Sequence, residues 1–447
     1  MKNNMIKKIV IALILLNGIS YAQQKASFSL PEAIEFSLKN SPNYLNADLD
    51  AKSAVYKKNE ITSNALPQVN ASVDVKDYLD LPTSLLPGEF FGGKPGTYAP
   101  VKFGTKYNAT AGLNASQLLF SADLVYSLSA SKVFVDLARI NVSRTKADLA
   151  SQVSKAYYNV IINKQRMQLL DANVVRLKKI FDDTKALNIQ GFVEKIDVER
   201  IEVQYNNLLT EHDKVEKLIT LSENFLKFQM GYKISDPISL TDSLNVEVAD
   251  ESILAQTKVD ITKRPDYQLI QAQQKLNDID VKRLKWGYLP TLAAYGAYQY
   301  NAQRQEFDLL DTDKKWYKIA LIGATLNVNI FDGFQRHNKI QQAKIASSKT
   351  QNNLRYLEMA AELEASSASI SYSNAYSTML LQKKNRELAS HVYDVAQKKY
   401  QQGVGSNIEL VNAETSLKES EINYFNAVFD MIVSKIDYLK ATGNLIK

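Results

Sequence analysis

Three histidines, His212, His337 and His391, are the only imidazoles in the chain, and none lies near another or near carboxylates at metal-ligand spacing. Cysteine is absent, which removes disulfides, thiolate metal sites, a cysteine nucleophile and an acylated N-terminal cysteine. The loop from Gly88 to Lys94 spells the start of a phosphate-binding loop, but Pro95 stands where a Mg-binding hydroxyl belongs, and no strand-to-helix frame surrounds it. Gly403-Val404-Gly405 begins a dinucleotide fingerprint, yet Ile408 occupies the third glycine position. His212 falls on an apolar helical seam between Leu208 and Val215 and is expected to be a packed side chain. With neither HExxH nor GxSxG present, no active site and no cofactor are expected.

The elements around these residues point to an envelope protein. Lys2, Lys7 and Lys8 precede an apolar run from Ile9 to Leu16 and the small-residue site Ser20-Tyr21-Ala22. Residues 1–22 therefore read as a secretory signal peptide, cleaved between Ala22 and Gln23. The run is shorter than the roughly 18 to 20 residues of a spanning helix, which disfavours a retained anchor. No later segment supplies such a stretch, so membrane insertion has to use strands. The formal charge is +6, three units of it from the leader lysines, too little to suggest nucleic acid as a partner.

Proline is missing from 101–236 and from 291–447, and glycine from 113–190, 192–230, 334–402 and 406–442. Gly191, Gly403 and Gly405 lie between these breaker-free blocks, which predicts long helix, tight turn, long helix, twice. Ala156, Val160, Met167, Leu170, Val174, Leu177 and Phe181 form one coiled-coil seam, and Ile422, Phe425, Phe429, Ile432, Ile436 and Leu439 another.

The two halves also match. Pro42, Tyr44, Leu66 and Pro67 pair with Pro265, Tyr267, Leu289 and Pro290 at an offset of 223, whereas Gly112 and Phe120 pair with Gly323 and Phe331 at 211. This is a duplication, with about 12 additional residues in a surface loop within 79–104 of the first half. The first repeat is 23–240, with strands near 68–78 and 105–119 and helices near 122–190 and 193–230. The second is 241–447, with strands near 291–301 and 316–331 and helices near 333–402 and 406–441.

The strands alternate. Val69, Ala71, Val73 and Val75 interleave with Asn70, Ser72, Asp74 and Lys76, and the pattern returns from Tyr107, from Leu292 and from Ala320. Tyr78, Tyr107, Tyr298, Tyr300, Trp316 and Tyr317 lie near the loop-side ends, where an aromatic girdle belongs. A soluble sandwich would need a facing sheet that the chain lacks. Four strands cannot close, and open edges in lipid leave backbone groups unpaired, so several copies must combine. Two copies give a side-chain-filled barrel and three can leave a lumen, which favours a cyclic trimer.

Ser29 to Tyr44 (SLPEAIEFSLKNSPNY), the strand starts LPQV at Leu66 and LPTL at Leu289, RPDY at Arg264, IFDGF at Ile330 and YQQGVGSNIELVNAE at Tyr400 occur here in order and in duplicate. In these motifs the chain resembles the TolC-like outer-membrane efflux proteins over nearly its whole length. The resemblance implies a mainly α fold with a transmembrane β portion, in which a trimeric 12-stranded β-barrel is continuous with a periplasmic α-barrel. It implies a passive channel of a tripartite efflux or type I secretion system in the outer membrane, embedded in its lipid. A periplasmic adaptor (membrane fusion) protein and an inner-membrane pump, such as an RND or ABC transporter, are the implied partners.

Carried over by position, the adaptor-contacting tips are Gly191, Phe192, Val193 and Asp197 in the first repeat and Gly403, Val404, Gly405 and Glu409 in the second. The family's acidic pore constriction maps to Glu409 and Asn412, and Asn412 departs from the acidic pattern. Glycine at these turns needs no partner to explain it, and Ser406 to Glu409 reads as a capping box. The rival reading, a non-channel coiled-coil scaffold or adaptor, leaves the alternating strands without a purpose.

Overall fold

The computed structural model describes residues 26–243 and 260–445, and the signal-peptide cleavage pair Ala22 and Gln23 lies outside them. Two compact units are present, and each draws on both sequence repeats. One comprises residues up to Leu49, Ile140–Gln268 and Tyr356–Lys447; the other comprises Asp50–Arg139 and Leu269–Arg355.

The strand-bearing unit contains a four-stranded antiparallel sheet, in the order β2 (Gln68–Asp77), β5 (Tyr107–Phe120), β7 (Thr291–Arg304), β8 (Tyr317–Asn327). The repeats meet at its centre, where β5 pairs with β7 from Tyr107↔Arg304 onward. The last strand is shorter than the expected 316–331, because the ladder stops at Thr291↔Asn327. The residue before Thr291 is Pro290, which has no amide hydrogen to continue it. Val328 and Ile330 therefore leave the sheet, and the chain turns into the following helix through Gly333 and Phe334, both left-handed at φ 62° and 64°.

The enlarged loop is itself ordered. Its residues form a small hairpin, β3 (Thr83–Pro87) against β4 (Tyr98–Lys102), around a 3-10 turn at Gly88–Phe91. The near-match to a phosphate-binding loop lies in this turn and has no helix behind it.

The helical unit begins with β1 (Ala26–Phe28) paired in parallel with β6 (Ile238–Leu240), followed by α1 (Leu30–Asn40) and the start of α2 (Pro42–Ser63). Its long helices are α4 (Lys195–Met230) and α7 (Asn407–Ala441), with the parts of α3 (Ala122–Ile189) and α6 (Gln335–Gln401) that follow Arg139 and Arg355. The short α5 (Pro265–Trp286) precedes the second strand pair as α2 precedes the first. At 68 residues and about 1.5 Å per residue, α3 has a contour length on the order of 100 Å. Among the described residues, no helix is apolar enough to cross a membrane.

Leu170 and Leu177 of α3, Ile201, Leu208 and Val215 of α4, Tyr393 of α6 and Leu410 and Leu417 of α7 share one core, so four helices converge. The α3 seam packs as its spacing predicts. The α7 seam packs only in part as its spacing predicts: Phe425 and Ile436 are buried, but Ile422, Phe429, Ile432 and Leu439 are half-buried flanks of a stripe formed by Leu410, Leu417, Tyr424, Val428, Met431 and Tyr438. His212 is half-buried too, but its Nε2 meets Asp171 Oδ1 at 3.0 Å, a polar contact at the edge of the core.

Candidate functional site

The two helix-turn-helix tips are built alike. At the first, Phe192 N–H donates to Leu187 O at 3.0 Å across Gly191, whose φ is +79°. At the second, Val404 N–H donates to Lys399 O at 3.0 Å across Gly403, whose φ is +75°. Both are Schellman closures, in which the left-handed residue lets the chain reverse while the last carbonyls find donors. A side chain at either glycine would meet nothing within 4 Å, so backbone conformation alone selects glycine there. Gly405 differs: a Cβ at that position would lie 2.9 Å from Tyr400 N and Lys399 Cβ, so close approach selects it.

The turns present apolar side chains to solvent, with Phe192 75% and Val404 76% exposed. Val193 is half-buried, and its carbonyl accepts from Asn188 Nδ2 at 2.8 Å. Asp197 sits 3.5 Å from Arg200 one turn on. Asn412 is exposed, as is Glu409.

The capping box at Ser406 is only half formed. Ser406 Oγ accepts from the Glu409 amide at 3.2 Å, but the Glu409 carboxylate turns instead to Lys399 Nζ at 3.1 Å. The sequence reading missed that lysine, which sits on the preceding helix ten residues away.

Also unanticipated is a polar layer inside the helical core. Glu414 and Glu421 occupy the buried α7 stripe, seven residues apart, between Leu410, Leu417 and Tyr424. Asn173 Nδ2 donates to Glu421 at 2.9 Å, Arg176 donates to Asn173 Oδ1 at 2.7 Å, and the same guanidinium nitrogen lies 3.4 Å from Glu414. Burial pushes both carboxyls above the usual carboxylate range, against the pull of Arg176 on Glu414 and of the Asn173 hydrogen bond on Glu421. Heptad spacing of two glutamates within an apolar series was the available signal, and the partly displaced seam concealed it.

A second buried cation anchors the RPDY segment. The Arg264 side chain, 10% exposed, binds Asp266 at 2.8 Å, Glu364 at 2.6 Å and the carbonyl of Ala441 at 3.0 Å. It fixes the start of α5 against α6 and the end of α7. Asp266 is held below the ordinary carboxylate range because Arg264 outweighs the burial that opposes it.

The sheet has two unlike faces. Val69, Ala71, Val73 and Val75 share a side with Ala115, Leu113, Ala111 and Ala109 and, through them, with Gly296, Tyr298, Tyr300 and Ala302. On that side Val73 is 75% and Ile322 92% exposed. Tyr298 and Tyr300 stand together near the loop end, with Lys318 Nζ 4.7 Å from the Tyr298 ring centroid. The opposite side carries amides and hydroxyls.

The family model for outer membrane efflux proteins matches residues 261–444, within the second repeat. Outer membrane protein TolC of Vibrio cholerae serotype O1 is 22% identical over 345 residues, covering 75% of this chain and 77% of that protein. CusC, solved in a study of folding and transmembrane channel formation, superposes with a TM-score of 0.75 at 16% identity, covering 93% of this chain and 92% of that one. The CmeC outer membrane channel of Campylobacter jejuni gives 0.74 at 15% identity, over 94% and 86% of the two chains. CmeC is described as an outer membrane channel and CusC as forming a transmembrane channel. The second repeat is thus similar to the outer membrane efflux proteins, and the fold, with its duplicated strand pairs and helical hairpins, is that of CusC and CmeC.

Proposed function

We propose that the chain is the exit duct of a tripartite efflux or type I secretion assembly: a passive channel of three copies, loaded through a periplasmic adaptor by an inner-membrane pump. The strand order β2-β5-β7-β8 carries this reading. Both edge strands, β2 and β8, have one side of their backbone unpaired, and their exposed apolar residues suit lipid. In a bilayer each unsatisfied backbone group costs several kcal/mol, so β2 of one copy has to meet β8 of the next. Three copies bring twelve strands, enough for a lumen that two would fill with side chains.

The exposed apolar turns support the adaptor assignment. Phe192 and Val404 are solvent-facing at positions where no fold requirement calls for an apolar group. Three copies of Glu409 around an axis would draw cations to the tip, with Asn412 adding hydrogen-bonding capacity but no charge.

Reconstitution of the purified protein in planar bilayers tests the reading. Discrete single-channel conductance from a trimer is expected. A monomer in detergent that inserts without conducting would overturn it.

A further inference from the structure

The two repeats make the same strand-to-helix junction with different side chains. At the offset of 211, Phe334, Arg336 and Lys339 of the second repeat stand where the first has Asp123, Val125 and Leu128. At 223, Arg283, Trp286 and Tyr288 stand where it has Glu60, Ser63 and Ala65. The first repeat turns from strand to helix without aromatic or basic groups at these places, so the turn itself does not call for them. Every one of these differences runs toward an aromatic or a cationic side chain.

The aromatic members face solvent. Phe334 is 67% exposed, Trp286 and Tyr288 are 52% exposed, and the preceding Ile330 and Phe331 are 94% and 74% exposed. Phe331 and Phe334 meet edge to face with their centroids 5.7 Å apart. Phe334 does so at φ 64°, a left-handed backbone that costs a bulky residue free energy, and an exposed ring recovers little of that cost in water.

The cations gather beside them. Arg283 near the end of α5 and Arg336 and Lys339 at the start of α6 line a cavity of about 260 Å³, bounded also by Ser121, just after β5, and Thr291, the first residue of β7. Arg283 is held by Asp123 and, at 2.8 Å, by Asp280. The Arg336 guanidinium lies 4.9 Å from the Tyr288 ring centroid and 3.9 Å from Asp332, too far for a hydrogen bond to that carboxylate, and Lys339 is exposed. With Lys282 and Lys285, five cations at the junction stand against Asp123, Asp280 and Asp332.

Arg and Lys recognise phosphate oxygens, whereas Trp, Tyr and Phe settle where apolar chains meet polar heads. Here the two sets lie side by side at the end of β8, whose exposed Ile322 and Leu326 suit lipid. The cavity is smaller than the roughly 300 Å³ of a site for a drug-sized molecule, so it takes a head group and leaves the apolar part of an amphiphile outside.

We propose that this junction binds the phosphate of a glycerophospholipid in the periplasm-facing leaflet, one lipid per copy. Arg336 and Lys339 hold the phosphate, and Ile330, Phe331 and Phe334 lie along the acyl chains. The site belongs to the second repeat alone. It rests on the exit-duct reading above, which sets the end of β8 at the periplasmic surface of the bilayer.

The chain has two tryptophans, Trp286 and Trp316, so Trp316→Phe leaves Trp286 as a reporter within the junction. Full-length protein with this change is reconstituted in digalactosyldiacylglycerol vesicles that carry a small fraction of acyl-brominated lipid, either phosphatidylglycerol or the galactolipid itself. At equal fraction, the brominated phosphatidylglycerol should quench Trp286 more strongly. Lys339→Gln, at an exposed position, should weaken that preference about fivefold, as expected for one interfacial cation. Arg336→Gln should weaken it at least as much, and Lys349→Gln, an exposed lysine farther along α6, should leave it unchanged.

Equal quenching by the two probes, in protein that floats with the vesicles, would overturn the phosphate site. A loss as large in Lys349→Gln as in Lys339→Gln would reduce it to general charge attraction and overturn it too. Abolition of the preference by added inorganic phosphate would assign the cavity to a free anion and overturn the lipid assignment. Protein that does not float with the vesicles at all would instead overturn the membrane placement on which the duct reading depends.

Discussion

The Arg176 guanidinium lies over the ring of Tyr393, 4.6 Å from its centroid, so a cation from the first repeat stacks on an aromatic of the second while also reaching Glu414. Glu414 and Glu421 share this one arginine directly or through Asn173. Lys418 acts on Glu414 and Arg386 on Glu421 as well, yet burial prevails at both carboxyls, and the Tyr393 hydroxyl is itself pushed up to about 12, by burial first and by Glu414 second.

A pH dependence follows from the direction of these shifts. A carboxyl whose folded-state pKa is raised adds stability below its unfolded pKa, and that contribution is lost as pH rises through the folded value. Burial raises both Glu414 and Glu421. Resistance to denaturant should therefore be greater in weakly acidic buffer than at neutral pH, and Glu414→Gln should flatten the dependence. Unfolding followed by circular dichroism across that pH range checks this. An identical slope in the variant would exclude Glu414 as a source.

Arg264 predicts a graded series. Arg264→Ala strands Asp266 without its partner and frees the Ala441 carbonyl, at a cost of about 2–4 kcal/mol for a largely buried pair in contact with solvent on one side. Glu364 is 53% exposed, so Glu364→Gln should cost well under about 1 kcal/mol. Thermal denaturation of the two variants should separate them clearly, and equal losses would show that Glu364, not Asp266, is the main anchor.

The tip glycines should respond differently to alanine. Gly403→Ala meets open space and bears only the left-handed backbone cost, about 1–2 kcal/mol. Gly403→Asn should be milder still. Gly405→Ala has to move the Tyr400 amide or the Lys399 stem, so it should distort the turn and weaken adaptor binding more than Gly403→Asn does. Surface plasmon resonance against the purified adaptor would rank them.

Glu409 and Lys399 predict opposite electrical effects. Glu409→Gln removes a tip anion and should lower cation preference, whereas Lys399→Gln frees that anion from its partner at 3.1 Å and should raise it. Reversal potentials in a salt gradient report both, and shifts of the same sign would place the filter elsewhere.

Phe192 and Val404 give a separate test of the proposed adaptor surface. Phe192→Asp and Val404→Asp remove apolar groups that are already in solvent, so stability should change by less than about 0.5 kcal/mol while adaptor affinity falls. Unchanged affinity in both variants would remove these turns from the interface.

Much of this architecture is written along the chain. Breaker-free blocks define the long helices, Gly191 and Gly403 mark their reversals, and period-two alternation marks the strands, because all of these depend on each residue's own conformational limits. The duplication likewise needs only comparison of Pro42 with Pro265 or Gly112 with Gly323.

What depends on which surfaces meet was not legible. Long α7 carries two apolar stripes, Leu410–Leu417–Tyr424 and Ile422–Phe429–Ile432, and only packing against α3, α4 and α6 decides that the first is buried. That choice brings Glu414 and Glu421 to Arg176, residues some 240 positions apart in sequence. Strand pairing decided the rest: it joined β5 to β7, ended β8 at Asn327 and set Asn114 between Ser72 and Gln299. Local sequence fixes the conformation each segment can adopt, but partners are chosen by the burial and hydrogen bonding that only the assembled chain can satisfy.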